Sequence, residues 1–245
     1  MLVKNLGAPA KRLMPYLVRK NFPAGAIADL DLTDPGMAGC LDGVNAAGLA
    51  ISCNHRAYPQ LGASRIPPSL LCKEILEQCE DVDQALQKVK TWPPTKPSLL
   101  LLMDRKGMIA SVDISERIEV QRPKGLAIHT NHGQTIDPPW PWWRPLLPGP
   151  LGYNERPSSG QRRNRMAALL QNQHITVQDL KQALADHDSE PGDLSICRHG
   201  SYLSTRCSVI LYPGQSSMEI LKGAPCKGTY TRIEGEVPQR ATRFA

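Results

Sequence analysis

The sequence predicts an α+β fold in which antiparallel sheets are covered by helices. Two observations carry that expectation. Strand hairpins and helix pairs come in groups along the chain, whereas a parallel sheet would need strands and helices in alternation. Twenty-two prolines and nineteen glycines in 245 residues also favour short elements and long loops over a helical bundle. The length fits a single domain, residues 1–245, with a real core. No repeat of fixed period is visible.

Taken in order, residues 10–19 allow a short helix with Pro15 near an end. "GAIADLDLTDPG" reads as a loop. "GCLDGVNAAGLAISCN" places two short apolar runs around residues 45–48, a β-hairpin signal. "PPSLLCKEILEQC" starts after prolines and sets Leu71, Ile75 and Leu76 at helical spacing. "DVDQALQKVKTW" is a second helix, with Asp81 as N-cap and Val82, Ala85, Leu86 and Val89 on one face. "PSLLLLMDRKGMIASVDIS" is a hairpin turning at residues 104–107, and "RIEVQR" and "GLAIHTN" extend the sheet. Trp140, Trp142 and Trp143 fall in a proline-rich loop read as structured, its tryptophans packed. "SGQRRNRMAALLQNQ" is a helix with Ser159 near its N-cap, and "TVQDLKQALADH" is another, capped by Thr176. "STRCSVILYPGQSSMEILKG" closes the series as a hairpin turning at residues 213–215.

Composition narrows the function classes. A net charge of +6 permits nucleic-acid binding, but the basic residues are scattered and no RNA-binding motif accompanies them. Solvated basic faces are the expectation, with no nucleic-acid partner. No apolar stretch approaches the ~18 residues of a membrane span, and no signal-peptide pattern opens the chain. Seven cysteines without a CxxC pair argue against a zinc ribbon and for a reduced, cytoplasmic setting. Neither a metal nor a cofactor is expected.

The most chemically loaded stretch is "GLAIHTNHGQTIDPPW", residues 125–140, where His129 and His132 flank Asn131. Three readings present themselves. A metal site needs at least three convergent ligands, and two histidines three apart on a strand point to opposite faces. A Ser-His-Asp fragment would call for a GxSxG elbow, which the chain lacks. A polar strand end capping loop backbone is the plainest reading. Beyond these, an asparagine N–H fixed at a strand end can donate to an oxyanion during acyl transfer, worth about 3–4 kcal/mol in the transition state.

"GVNAAGLAISCN", "SLLCKEILEQCEDVDQAL", "LLLLMDRKG", "HTNH", "SGQRRNRMAALL" and "SICRH" follow one another at spacings that resemble the acyl-coenzyme A:6-aminopenicillanic acid acyltransferase family. These are relatives of the choloylglycine and penicillin V hydrolases among the N-terminal nucleophile hydrolases. The resemblance implies a four-layer αββα sandwich. It also implies amidohydrolase or acyltransferase chemistry on a small acyl amide or acyl-CoA-like substrate, through an acyl-enzyme on an N-terminal cysteine. By the same resemblance Asn131 is the oxyanion donor. Asn54 is a second oxyanion or substrate contact, and His129, His132 and Arg198 frame the substrate site.

The chain also departs from the family pattern. "KNLG" resembles the family's arginine- or lysine-asparagine-x-aspartate motif, with Gly7 in the place of the aspartate. The nucleophile segment should precede Lys4, so the chain is expected to be N-terminally truncated, with its first strand missing and a sheet edge open to homo-oligomerisation. A second family arginine near Thr205 has no counterpart, Tyr202 being nearest to its place. Gly39–Cys40 is the outside candidate for an internal nucleophile, set against a buried core cysteine. The alternative function is a catalytically inactive relative that binds an acylated ligand.

Overall fold

The computed structural model describes residues 1–9, 16–56, 66–93, 96–115, 117–133, 155–171, 174–188 and 190–235. The tryptophan-bearing loop lies outside the described residues. Two antiparallel sheets form the centre. The larger is made of β2 (Leu17–Asn21), β3 (Asp29–Thr33), β4 (Asp42–Asn45), β5 (Leu49–His55), β6 (Ser98–Asp104), β7 (Ile109–Ile114) and β8 (Ile118–Gln121), in sequential order. The smaller runs β1 (Leu2–Pro9), β9 (Leu203–Tyr212), β10 (Ser217–Lys222), β11 (Thr231–Glu234).

Each layer follows from strand alternation, which sends successive side chains to opposite faces. On β5, Leu49, Ile51 and Cys53 face α1 (Pro68–Gln78) and α2 (Val82–Thr91), meeting Leu71, Ile75, Leu76 and Val89 in one apolar cluster. Ala50 faces the other way, toward Leu2, Leu6, Val209 and Leu211 of the smaller sheet. The outer face of that sheet presents Val3 to Leu170, Leu180 and Ala183, beside α3 (Arg156–Leu169) and α4 (Val177–Leu184). Three apolar interfaces therefore separate four layers, αββα. Each fully buried Leu or Ile in them contributes roughly 2 kcal/mol. Among the described residues no helix is long and apolar enough to cross a membrane.

The hairpins around residues 45–48, 104–107 and 213–215 form as expected. Asp81 caps α2 by accepting from the Gln84 N–H, and Thr176 forms a full capping box with Asp179. Three expectations fail. Residues 17–19 belong to strand β2, not to a helix. "DLDLT" is the wholly buried strand β3, not a loop, because basic side chains neutralise its acids. Arg19 Nε lies 2.8 Å from Asp31, and Lys73 Nζ lies 2.8 Å from Asp29. Residues 125–131 leave the sheet. Pro123 has no N–H for a ladder and Gly125 takes φ +88°, so the chain turns away after the edge strand β8. Ser159, expected near the N-cap, lies inside α3 beyond the N-cap Glu155 and is fully buried.

Candidate active site

A cavity of about 440 Å³ opens at one end of the inter-sheet space, within the usual range for small-molecule sites. Alternation on β5 puts Ser52 and Asn54 on its side of the sheet. Lys4, between Leu2 and Leu6 on β1, reaches across from the smaller sheet. Its Nζ lies 3.0 Å from Asp42 Oδ1 and donates to the Cys53 carbonyl at 2.6 Å, while Ser52 donates to Asp42 at 2.6 Å. This buried ion pair joins the two sheets beneath the cavity.

Asn131 sits at the cavity wall in an irregular segment, and three bonds hold it there. Its backbone N–H donates to Ser159 Oγ at 2.6 Å, its Nδ2 donates to the His55 carbonyl at 2.8 Å, and Arg162 donates to its Oδ1 at 2.9 Å. The guanidinium on one side and the carbonyl on the other leave only one orientation of the amide that satisfies both. Ser159, buried in α3, also donates to Thr130 Oγ1 at 2.9 Å and lies 2.8 Å from His132 Nδ1. His132 therefore braces the loop and is not among the residues lining the cavity.

His129 does line the cavity, with Nε2 against Ser111 Oγ. Burial, with Arg163 and His132 nearby, pushes its pKa down to about 4, so the ring is neutral at neutral pH. Arg198 lines the cavity and is 5% exposed. It pairs with Glu155 Oε1 at 2.7 Å through Nη1 and its Nη2 lies 4.0 Å from Asp193 Oδ1, while its Nε is buried without a hydrogen-bond partner. Asn54 lies on the same rim.

The structure thus brings Asn131, Asn54, His129 and Arg198 to one cavity and leaves His132 behind it. Cys40 is elsewhere. It is fully buried against α1, its N–H donating to the Ser69 carbonyl at 3.0 Å, and burial beside Asp31 and Asp29 holds its thiol well above the ordinary value. Cys53 turns its side chain into the α1 interface. There Cys72 donates a hydrogen bond to its thiol and draws its pKa down against the cost of burial.

Sequence reasoning missed Glu155, which bridges Arg198 and Arg162, the latter at 3.2 Å. It also missed Arg206, the residue after Thr205, which lines the cavity and pairs with Asp34. Tyr202 is exposed and does not line it. Adjacency to Thr205 was the available signal for Arg206, whereas nothing local marks Glu155. The absence of a CxxC pair also hid a group of four, His187, Cys197, His199 and Cys226, which meets outside this cavity.

A model of the family described as acyl-coenzyme A:6-aminopenicillanic acid acyl-transferase matches residues 15–221. No curated protein sequence matches the chain. Solved structures share its fold. One is the Caenorhabditis elegans ortholog of N-acylethanolamine-hydrolyzing acid amidase, with a TM-score of 0.59 and 15% identity over 86% of this chain and 87% of that one. Another is penicillin V acylase from Agrobacterium tumefaciens, with a TM-score of 0.55 and 14% identity over 95% of this chain and 76% of that one.

Proposed function

Because this chain belongs to the acyl-coenzyme A:6-aminopenicillanic acid acyl-transferase family, we propose that its cavity receives a small acyl amide or acyl thioester and offers the substrate carbonyl to Asn131. The observation that carries the reading is the fixed Asn131 amide. An amide has two N–H donors. His55 takes one, and the second is the group an oxyanion would use. The Arg198 guanidinium, whose Nε has no hydrogen-bond partner, suits a second carbonyl or a carboxylate of the same ligand. Leu101, Met103, Leu170 and Leu180 supply apolar wall for the acyl chain.

In the reaction so read, a nucleophile adds to the carbonyl and the tetrahedral oxyanion rests on Asn131. Collapse expels the amine or thiol, and water or an amine then takes the acyl group. No cofactor enters. Cys40 does not line the cavity, Cys53 lines it but packs its side chain with the α1 cluster, and Gly7 offers no carboxylate there. These facts favour a second reading, an acyl-binding relative without turnover. The seven cysteines are all unpaired, which supports a reducing, cytoplasmic setting.

Incubation of the purified 245-residue chain with a fluorogenic N-acyl amide, alongside calorimetric titration of a non-cleavable analogue, separates these readings. Saturable binding that Arg198→Met weakens about tenfold supports the cavity assignment. Amine release favours the enzyme, and binding without release favours the binder. Neither binding nor release removes both. Release abolished by Cys40→Ser, with a mass showing loss of residues 1–39, would instead establish the internal nucleophile.

A further inference from the structure

Four metal-ligating side chains meet on the far side of the Arg198 segment. They come from three separate stretches: His187 just beyond α4, Cys197 and His199 before β9, and Cys226 in the turn between β10 and β11. One ligand atom from each lies within 4.8 Å of every other. His199 Nε2 stands 3.5 Å from Cys197 Sγ and 3.3 Å from Cys226 Sγ. Bond lengths of about 2.3 Å to sulfur and 2.0–2.1 Å to nitrogen give tetrahedral edges of roughly 3.3–3.8 Å around zinc. Two edges of the cluster already have that length, and the widest separation needs to close by only about 1 Å. His187 Nε2 is buried and has no hydrogen-bond partner. Such a group ordinarily finds a partner in a folded protein, and a metal supplies one.

The backbone around the cluster is anchored independently of any ion. The Cys197 N–H donates to the Asp186 carbonyl at 2.9 Å, beside His187. The Thr205 N–H donates to the Arg198 carbonyl at 2.9 Å, and the Arg198 N–H returns a bond to Thr205 Oγ1 at 2.9 Å. The ligands are therefore presented from a scaffold that the hydrogen bonds already define.

We propose that His187, Cys197, His199 and Cys226 form a Cys2His2 site for a structural zinc ion. Two thiolates and two neutral imidazoles suit a borderline-soft divalent ion and balance its charge. Four protein ligands fill the tetrahedron, so the ion has no open position for substrate and its role is to hold the fold. It ties the end of α4 to the β10–β11 turn. Because Cys197 and His199 flank Arg198, it also sets the direction in which that guanidinium enters the cavity. The site is independent of the acyl-transfer reading and stands or falls on metal content alone.

The test uses the full chain purified without a histidine tag under reducing conditions. Elemental analysis should give about one zinc per chain. After chelation, Co²⁺ should restore a spectrum with tetrahedral ligand-field and thiolate charge-transfer bands, and zinc should displace it. Cys226→Ser and His187→Ala should each weaken Co²⁺ binding at least about tenfold, whereas Cys79→Ser, outside the cluster, should leave the spectrum unchanged. If either ligand variant fails to fold, the cobalt titration of the unaltered chain decides. No bound zinc together with no thiolate–cobalt band overturns the proposal. So does a Cys197–Cys226 disulfide in the isolated protein whose reduction yields no metal uptake.

Discussion

At the scale of the residue, Asn131 shows how neighbours fix the orientation of one side chain. Arg162 and the His55 carbonyl fix its amide at the cavity wall, the arrangement on which the proposed oxyanion contact rests. In a chain that turns over N-acyl amides, Asn131→Ala should lower kcat about 10²-fold or more, and an unchanged rate would remove the residue from the mechanism. His129 makes a separate prediction through pH. Its folded pKa of about 4 lies below the ordinary histidine value of 6.5. Between those values the unfolded chain binds a proton that the folded chain does not, so stability falls as pH falls from 6.5 towards 4. Melting temperatures across that range should show a shallower acid loss in His129→Gln, and an identical slope would contradict the assignment. The Lys4–Asp42 pair is a further residue-scale case. Asp42 is fully buried, and Asp42→Ala leaves the ammonium without its counter-charge, at a cost of about 3–5 kcal/mol by urea unfolding.

At the scale of the element, the sequence signals that succeeded were short-range ones. Asp81 and Thr176 cap their helices because an oxygen three residues before a free N–H reaches it by local geometry alone. Replacing Thr176 with Ala should cost about 1 kcal/mol, read as a drop in denaturation midpoint. The signals that failed depended on partners far away. "DLDLT" looks polar until Lys73 on α1 and Arg19 on β2 are placed against it. The join between larger sheet and helix layer is tight enough to test. Gly39 has φ +87°, and a Cβ there would stand 2.1 Å from the Ser69 carbonyl oxygen on α1. Gly39→Ala should therefore destabilise by about 3 kcal/mol or more; a near-neutral effect would mean that the loop does not press on α1 as described.

At the scale of the whole molecule, the two sheets enclose the cavity between them and β1 supplies one wall. Gly7, on that strand, is exposed and has open space beside it, since a Cβ would meet only the Ser204 carbonyl at 3.8 Å. The position can hold the aspartate of the family motif, so Gly7→Asp should fold with a stability change of about 1 kcal/mol or less. A collapse of the fold would show that glycine is required there. Among the described residues β1 pairs only with β9, leaving its other edge without a strand. We expect self-association through that edge, and static light scattering that returns a stable monomer would refute it.

By itself the sequence determined the hairpins around residues 45–48, 104–107 and 213–215, the helices capped by Asp81 and Thr176, and the family. Periodicity, turn chemistry and capping act over a few residues and leave their mark in the string. Tertiary structure alone decided what meets across the chain. It paired Leu2 of β1 with Leu211 of β9, and it placed Arg162 on Asn131 and Glu155 on Arg198. It also gathered two cysteines and two histidines from three segments into one cluster. Such contacts are set by how layers stack and which faces must be buried, and no local pattern of residues encodes that.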